Sequence, residues 1–257
     1  MKSNKIFKYV LFSELRSKMF LFYLILFLIL GFAIFYLGKD VSKSLITITN
    51  IILLIVPMFS IISGSIHYYN SREFNEMLLT QPIKRSAIFF GQYLGISCSM
   101  GLAFTIGLGI PLFLFAAGLT TFLILLSGIS LTFCFTAIAF LISIKNNDKA
   151  KGIGMSIISW FYFSVLYDGL ILLFLFLFSD YPLEKTLLIL TALNPIDTVR
   201  IIILMQLDIS ALLGITGALY QEVFGTMTGL IAAFSITSLW IFVPLIFAYK
   251  RFRKKDF

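Results

Sequence analysis

Long uncharged stretches alternate with short charged segments along this chain of 257 residues. About 20 consecutive apolar residues cross the hydrocarbon of a bilayer, and a charge in the middle of such a helix is costly. Residues 86–144 carry no charge, which is too long for one span, so we predict a break at residues 115–121, where Ala116, Ala117 and Gly118 interrupt the bulky side chains. The pattern predicts six transmembrane helices, at residues 19–37, 45–66, 88–114, 120–144, 152–178 and 225–249.

Composition favours a lipid environment for most of the chain. Apolar residues make up 60% of the sequence and charged residues 12%, whereas a soluble domain carries about 25% charged residues. A soluble fold would need polar surface over most of its exterior, and these stretches supply little of it. We therefore predict an all-α integral membrane protein in which residues 1–257 form a single transmembrane domain in the lipid bilayer.

The distribution of basic residues predicts how the chain crosses the membrane, because Lys and Arg are retained preferentially in short cytoplasmic loops. If the N-terminus is cytoplasmic, only Lys39, Lys43, Lys185 and Arg200 of the 20 basic residues lie outside. An even number of spans then returns the C-terminus to the cytoplasm. The net charge of +8 follows this topology and does not indicate nucleic-acid binding, because the basic clusters lie between the apolar runs.

Residues 2–18 are predicted to form an interfacial elbow helix along the inner membrane surface. Ile6, Tyr9, Val10 and Leu11 fall largely on one side of such a helix, and the lysines fall largely on another. The alternative is a disordered basic tail.

The loop at residues 67–86 is long for a simple connection between spans. Glu73 and Glu76 precede Leu78 and Leu79, a pattern that predicts a short amphipathic helix, and Pro82 would stop it. A helix displayed on the cytoplasmic side is a surface that a soluble motor protein can bind. An ordinary solvated loop remains the alternative.

The external segment at residues 179–224 contains two apolar runs, at 186–193 and 201–207, that are too short to span. We expect re-entrant or interfacial helices there. Asn194 is a predicted N-cap, with Pro195 at the first helical position and Asp197 in the first turn, near the positive end of the helix dipole. Gly214 and Gly217 are expected to end or bend the segment.

Asp168 is the one acidic residue well inside a predicted span, where ionisable side chains tend to mark a function. It is a candidate pathway or gating residue. Two other interpretations stay open: a protonated carboxyl bonded to a nearby hydroxyl, or a helix break at Asp168 and Gly169 that admits water. Asn50 and Gln92, also within spans, are interpreted as interhelical hydrogen-bond partners.

Several kinds of chemistry find no matching pattern in this sequence. It has no glycine-rich phosphate-binding motif, and His67 is its one histidine. Cys98 and Cys134 lie in apolar runs without metal-ligand spacing, and the methionines are scattered. We expect no catalytic residue, no metal site and no cofactor bound by this chain.

Two motifs resemble a known family. The sequence EFNEMLLTQPIKRS at 73–86, followed by GQYLG at 91–95, resembles ABC-2-type permeases over nearly the whole chain. Within that family, LNPIDTVRI at 193–201 and LDISALLGITGA at 207–218 resemble the NosY-type permeases of nitrous oxide reductase maturation systems.

This resemblance implies partners and roles for particular residues. It implies a homodimer in the inner membrane of a bacterium, with a NosF-type ATPase that binds ATP and magnesium on the cytoplasmic side and a NosD-type protein in the periplasm. The residues expected to couple to the ATPase are Arg72, Glu73, Phe74, Glu76, Leu78, Leu79 and Pro82. Those expected to face the periplasmic partner are Asn194, Pro195, Asp197, Arg200 and Asp208.

The family function implied is export or handover of a sulfur or copper species for copper-site assembly. Two other functions stay open: an ABC-2 exporter of a lipid, drug or peptide, and a channel or membrane scaffold that needs no motor. The scaffold interpretation expects the loop at 72–85 to tolerate charge reversal, whereas both permease interpretations expect loss of ATPase binding.

Overall fold

The computed structural model describes residues 2–38, 40–178, 184–206 and 227–255, and within these ranges every regular element is a helix. The chain order is α1 (Lys2–Leu15), α2 (Lys18–Leu37), α3 (Val41–Asn70), α4 (Arg72–Leu79), α5 (Arg85–Phe115), α6 (Leu119–Lys145), α7 (Lys149–Phe161), a π-helical turn (Tyr162–Leu166), α8 (Tyr167–Leu177), α9 (Glu184–Ala192), α10 (Pro195–Gln206) and α11 (Met227–Lys254).

Six of these segments are long and apolar enough to cross a membrane: α2, α3, α5, α6, α7 with α8, and α11. The prediction of an all-α membrane protein with about six spans is therefore confirmed. The predicted break after the third span is also confirmed, because α5 ends at Phe115 and α6 begins at Leu119. The predicted start of the last span, at Gly225, lies outside the described residues.

Side-chain caps fix where three of the helices begin. The backbone N–H of Phe20 donates to the Ser17 hydroxyl ahead of α2, at 3.1 Å. Asp40 accepts from the backbone of α3 in the same way, and Asp148 accepts from that of α7. Each cap satisfies an N–H group that has no partner within its own helix.

The densest packing lies in α3, α5 and α6, where 50%, 56% and 67% of the most apolar stretch is buried. Small residues allow close approach between helices. A Cβ atom added at Gly107 of α5 would lie 2.6 Å from the Leu24 carbonyl oxygen of α2, and one at Gly64 of α3 would lie 3.0 Å from the Cβ of Ala139 in α6. These three helices form the rigid centre of the bundle.

The fifth span, α7 with α8, is the least buried, at only 6% of its most apolar stretch. The π turn at Tyr162–Leu166 interrupts it and ends two residues before Asp168. The predicted span at 152–178 is therefore two α-helical pieces with a local irregularity, and π-helical turns are frequent at functional sites.

The external segment contains a sharp corner. Thr186–Ala192 and Pro195–Leu204, within α9 and α10, meet at an angle of 111°, as in a broken span or a re-entrant loop. Asn194 stands between them.

The two ends of the bundle differ in charge. We call the end that carries α1, α4, the start of α5, the end of α6 and the end of α11 the basic end. The corner between α9 and α10 reaches the middle of the bundle, where the Trp240 indole of α11 donates to the Ala192 carbonyl oxygen. We call the half of the bundle that holds this corner and Asp168 the opposite end.

Candidate functional site

The short helix α4 stands at the basic end, carried by α3. With 30 residues, α3 extends over about 45 Å, whereas the hydrocarbon of a bilayer is about 30 Å thick. Helix α3 is therefore longer than the hydrocarbon is thick, and α4 follows its C-terminal end after Ser71. The structure places a helix where the sequence pattern predicts the coupling segment.

The inner face of α4 is joined to α5 by a pair of amide side chains. The Nδ2 group of Asn75 donates to Oε1 of Gln92 at 3.3 Å, and Nε2 of Gln92 donates back to Oδ1 of Asn75. Both residues are buried. Leu78 is buried beside them, and Leu79 is partly buried. The reciprocal pair fixes the rotation of α4 relative to the start of the third span.

A second contact joins α4 to α1. The ring of Phe74 stacks on that of Tyr9, with 5.2 Å between centroids. In turn α1 packs closely on α5, because a Cβ at Gly95 would lie 2.7 Å from Cβ of Val10, and Gly91 makes an equally close approach one turn earlier. The two glycines of the GQYLG motif therefore form the surface of α5 on which α1 packs.

The outer face of α4 is charged and open to solvent. Arg72, Glu73 and Pro82 are exposed, and Glu76 forms an ion pair with Arg72 at 3.2 Å. Met77, which the sequence analysis did not single out, is 53% exposed on the same helix. Of the seven residues expected to couple to an ATPase, the structure thus places four outward, whereas Phe74, Leu78 and Leu79 pack inward.

Further polar contacts tie this end of the bundle together. Nδ1 of His67, near the end of α3, lies 2.7 Å from Oε1 of Glu14 in α1. The guanidinium of Arg85 donates to the backbone carbonyl oxygens of Arg253 and Lys255, at 2.7 and 2.9 Å. Carbonyl groups at a helix C-terminus have no partner within the helix, so Arg85 satisfies the end of α11.

A charged cluster lies near the opposite end. The guanidinium of Arg200 donates to Asp168 at 2.8 Å, and its other terminal nitrogen lies 2.9 Å from Asp197. The side-chain amide of Asn194 donates to Asp197 at 3.0 Å and to the backbone carbonyl of Phe163, in the π turn, at 2.9 Å. One cation therefore holds two carboxylates from different segments of the chain.

The predicted start of α10 is confirmed. The backbone N–H of Ile196 donates to the Asn194 side chain at 3.0 Å, and Pro195 is the first residue of the helix. Tyr167, just after the π turn, donates its hydroxyl to the carbonyl of Leu190 in α9, at 2.6 Å. The corner between α9 and α10 is thus bonded to the irregular part of the fifth span.

One alternative offered for Asp168, a carboxyl bonded to a nearby hydroxyl, needs a correction, because its partner is the guanidinium of Arg200. The role of Asp168 as a pathway or gating residue stays a prediction. The irregular turn also precedes Asp168 and does not lie at the Asp168–Gly169 step. Sequence spacing gave no signal for this pair, because its partners are 32 positions apart. A carboxylate within an apolar segment is stabilised by a cation from a neighbouring segment, which removes the cost of an unpaired charge.

The expectation of a partner-facing surface also changes. The side chains of Asn194, Pro195 and Asp197 are buried within the chain, and that of Arg200 is one-third exposed. Their polar groups bond to one another and to the fifth span, so these side chains serve an internal role. Asp208, Gly214 and Gly217 lie outside the described residues.

Comparisons with known proteins place this chain in a family. The sequence model of the family described as "ABC-2 family transporter protein" matches residues 46–257. The chain therefore belongs to the ABC-2 transporter family; it is a multi-pass membrane protein and the permease subunit of an ABC transporter.

Two curated relatives narrow the resemblance, and both are described as "Probable ABC transporter permease protein NosY". The relative from Stutzerimonas stutzeri is 30% identical over 192 residues, which cover 70% of this chain and 67% of that protein. The relative from Pseudomonas aeruginosa is 25% identical over 262 residues, which cover 94% of each. The prediction of an ABC-2 permease that resembles NosY is confirmed.

Proposed function

We propose that this chain is the membrane half of an ATP-driven exporter, in which α4 is the coupling helix. The observation that carries this proposal is the division of α4 into two faces. Its outer face displays Arg72, Glu73 and Met77 to solvent, and its inner face is bonded to α5 through Asn75 and Gln92. A motor that pushes the outer face therefore moves the bundle.

The route of that movement follows from the contacts of α4. Displacement of α4 acts on α5 through the amide pair and on α1 through Phe74 and Tyr9. ATP and magnesium bind in a separate ATPase chain, and this permease supplies no catalytic residue. A conformational change driven in this way needs two packed arrangements of the bundle with different affinities for the motor states.

The orientation proposed is N-terminus and C-terminus in the cytoplasm, in the inner membrane of a bacterium. The clustering of basic residues at one end supports it. Helix α1 then lies along the inner surface as an elbow. Tyr9 and Phe12, 60% and 59% exposed, would contact the headgroup region, which suits aromatic side chains.

At the opposite end, we assign Asp168, Arg200 and Asp197 to a gate on the external side. Their ion pairs join the fifth span to the corner between α9 and α10. A change in the fifth span would move the corner between α9 and α10, and with it the external side of the permease where a periplasmic partner would bind. The resemblance to NosY supports a homodimer of this chain, a NosF-type ATPase and a NosD-type periplasmic protein. Export or handover of a sulfur or copper species for nitrous oxide reductase is the function proposed.

The experiment is co-purification of the chain after co-expression with a NosF-type ATPase and a NosD-type periplasmic protein. We expect both partners to be recovered, and we expect Glu73→Lys to abolish ATPase recovery, because it reverses an exposed charge on α4. Lys5→Glu is the matched control: it also reverses an exposed charge at the basic end, but on α1. It should leave recovery unchanged.

Three outcomes would count against parts of this proposal. If Glu73→Lys and wild type recover the ATPase equally, α4 is not the coupling helix. That result would favour the alternative of a channel or membrane scaffold that needs no motor. If the complex forms but deletion of the gene for this permease leaves the copper content of nitrous oxide reductase unchanged, an ABC-2 exporter of another substrate is favoured. If Lys5→Glu reduces recovery as strongly, general surface charge and not α4 determines binding.

A further inference from the structure

A basic cavity of about 670 Å³ opens at the basic end, between the end of α6 and the end of α11. The cations that line it are Lys145, Lys250, Arg251, Arg253, Lys254 and Lys255. None of its described lining residues is acidic. The concentration of like charges around one concave surface predicts a strong local attraction for anions.

Lys145, Lys250, Arg251, Arg253 and Lys254 form no ion pair with a carboxylate of the described residues. The ion pairs among the described residues involve other side chains, on α1, α3, α4, α8 and α10. Lys255 donates to the backbone carbonyl of Ile144, at 3.0 Å. Burial, and then the charge of Arg72, lower the pKa of the Lys255 amine.

An apolar groove continues from this cavity along α11. Leu239, Trp240, Val243 and Pro244 line a second cavity of about 170 Å³ on the same helix. Leu239, Val243 and Phe247 are 60%, 47% and 55% exposed, and their spacing of four residues places them on one face. Phe247 also lines the basic cavity, so the apolar face and the cations are continuous.

We propose that this groove and cavity together bind one anionic phospholipid. The phosphate headgroup lies among Lys145, Lys250 and Lys254, and an acyl chain lies along Leu239, Val243 and Phe247, which extend over about 12 Å of helix. A basic pocket at the end of membrane-spanning helices is a recurrent type of site for acidic headgroups. This assignment is independent of the transported substrate and of the ATPase.

The test uses quenching of tryptophan fluorescence, because Trp240 lines the groove. The chain carries two tryptophans, so Trp160→Phe leaves Trp240 as the reporter. The protein is reconstituted in vesicles that contain brominated phosphatidylglycerol or brominated phosphatidylcholine, each diluted in unlabelled phosphatidylcholine. We expect stronger quenching by phosphatidylglycerol at equal mole fraction.

Charge variants separate a site from general attraction to the surface. Lys250→Gln and Lys254→Gln are each expected to reduce the preference for phosphatidylglycerol about fivefold. Lys5→Gln and Lys8→Gln remove exposed cations of α1 at the same end and should leave the preference unchanged. Val243→Phe, which fills the groove, should reduce quenching by phosphatidylglycerol without altering the cavity charges.

Four results would overturn the proposal. The first is no preference for phosphatidylglycerol, and the second is an equal loss in the α1 variants, which would indicate surface charge alone. The third is displacement of the lipid by millimolar inorganic phosphate, which would make the ligand a free anion. The fourth is loss of ATPase recovery in Lys250→Gln or Lys254→Gln with an unchanged lipid preference, which would assign this surface to a protein partner.

Discussion

The two ends of the bundle are held together by different forces. At the basic end, α4 is joined to α5 by a buried amide pair and to α1 by an aromatic stack, and α1 packs closely on α5 at Gly91 and Gly95. At the opposite end, the fifth span is joined to α10 through one guanidinium and two carboxylates. The first arrangement is neutral and sterically tight, and the second is ionic.

This difference suits two different tasks. Buried neutral hydrogen bonds and close packing resist displacement, so a force applied to α4 reaches α5 with little loss. The ion pair of Asp168 with Arg200 is one-third exposed, so each charge can exchange its partner for another charge or for water when the connection opens. Removal of the cation is different, because it leaves the carboxylates unpaired. The bundle thus has a rigid connection where a motor would bind and a separable connection where a gate would open.

The largest effect is expected at the ion pairs of Arg200 with Asp168 and Asp197. Arg200→Met leaves two carboxylates without their cation, and we expect the free energy of unfolding in detergent to fall by about 3 kcal/mol. Arg72→Met is the matched control, because it removes an exposed i,i+4 ion pair of α4, worth less than about 0.5 kcal/mol. Equal losses in the two variants would contradict the distinction between the ends.

A smaller effect is expected at the amide pair. Asn75→Leu leaves the buried Gln92 side chain without its partner, and we expect a loss of about 2 kcal/mol in the free energy of unfolding. The double variant with Gln92→Leu replaces both polar groups and should recover most of that loss. If the two single losses simply add, the pair does not act as the connection described.

The smallest effect is expected at the contact between α1 and the glycines of α5. Gly95→Ala pushes against Val10, 2.7 Å from the added Cβ, and we expect a thermal stability loss that corresponds to about 1 kcal/mol. Gly101→Ala, also in α5, has nothing within 4 Å and should be neutral or stabilising, because Ala is the better helix former. A Gly95 variant that is as stable as Gly101→Ala would show that α1 packs elsewhere.

Much of the fold could be predicted from the sequence, because hydrophobic length and charge placement decide where helices cross a membrane. The six spans, the break after Phe115 and the cap at Asn194 all follow from local patterns. The role of Gln92 as an interhelical hydrogen-bond partner is confirmed as well, whereas Asn50 is exposed and has no described partner side chain across the bundle.

Less of the candidate site could be predicted from the sequence, because its contacts join residues that are far apart along the chain. Asn75 shares a helical face with Leu78 and Leu79, three and four residues later, and that spacing was the available sign that it points inward. Nothing local indicated that Asp168 would meet Arg200, because that pair depends on the π turn and on the corner between α9 and α10. Long-range pairing of this kind requires the tertiary structure.

The π turn at Tyr162–Leu166 also sets the angular register of the fifth span. An α-helix advances by about 100° per residue, so the one residue that a π turn accommodates rotates everything after it by roughly that angle. Asp168 is the second residue after this turn and bonds to Arg200. Because of this rotation, the half of the span before the turn and the half after it present different faces to their neighbours.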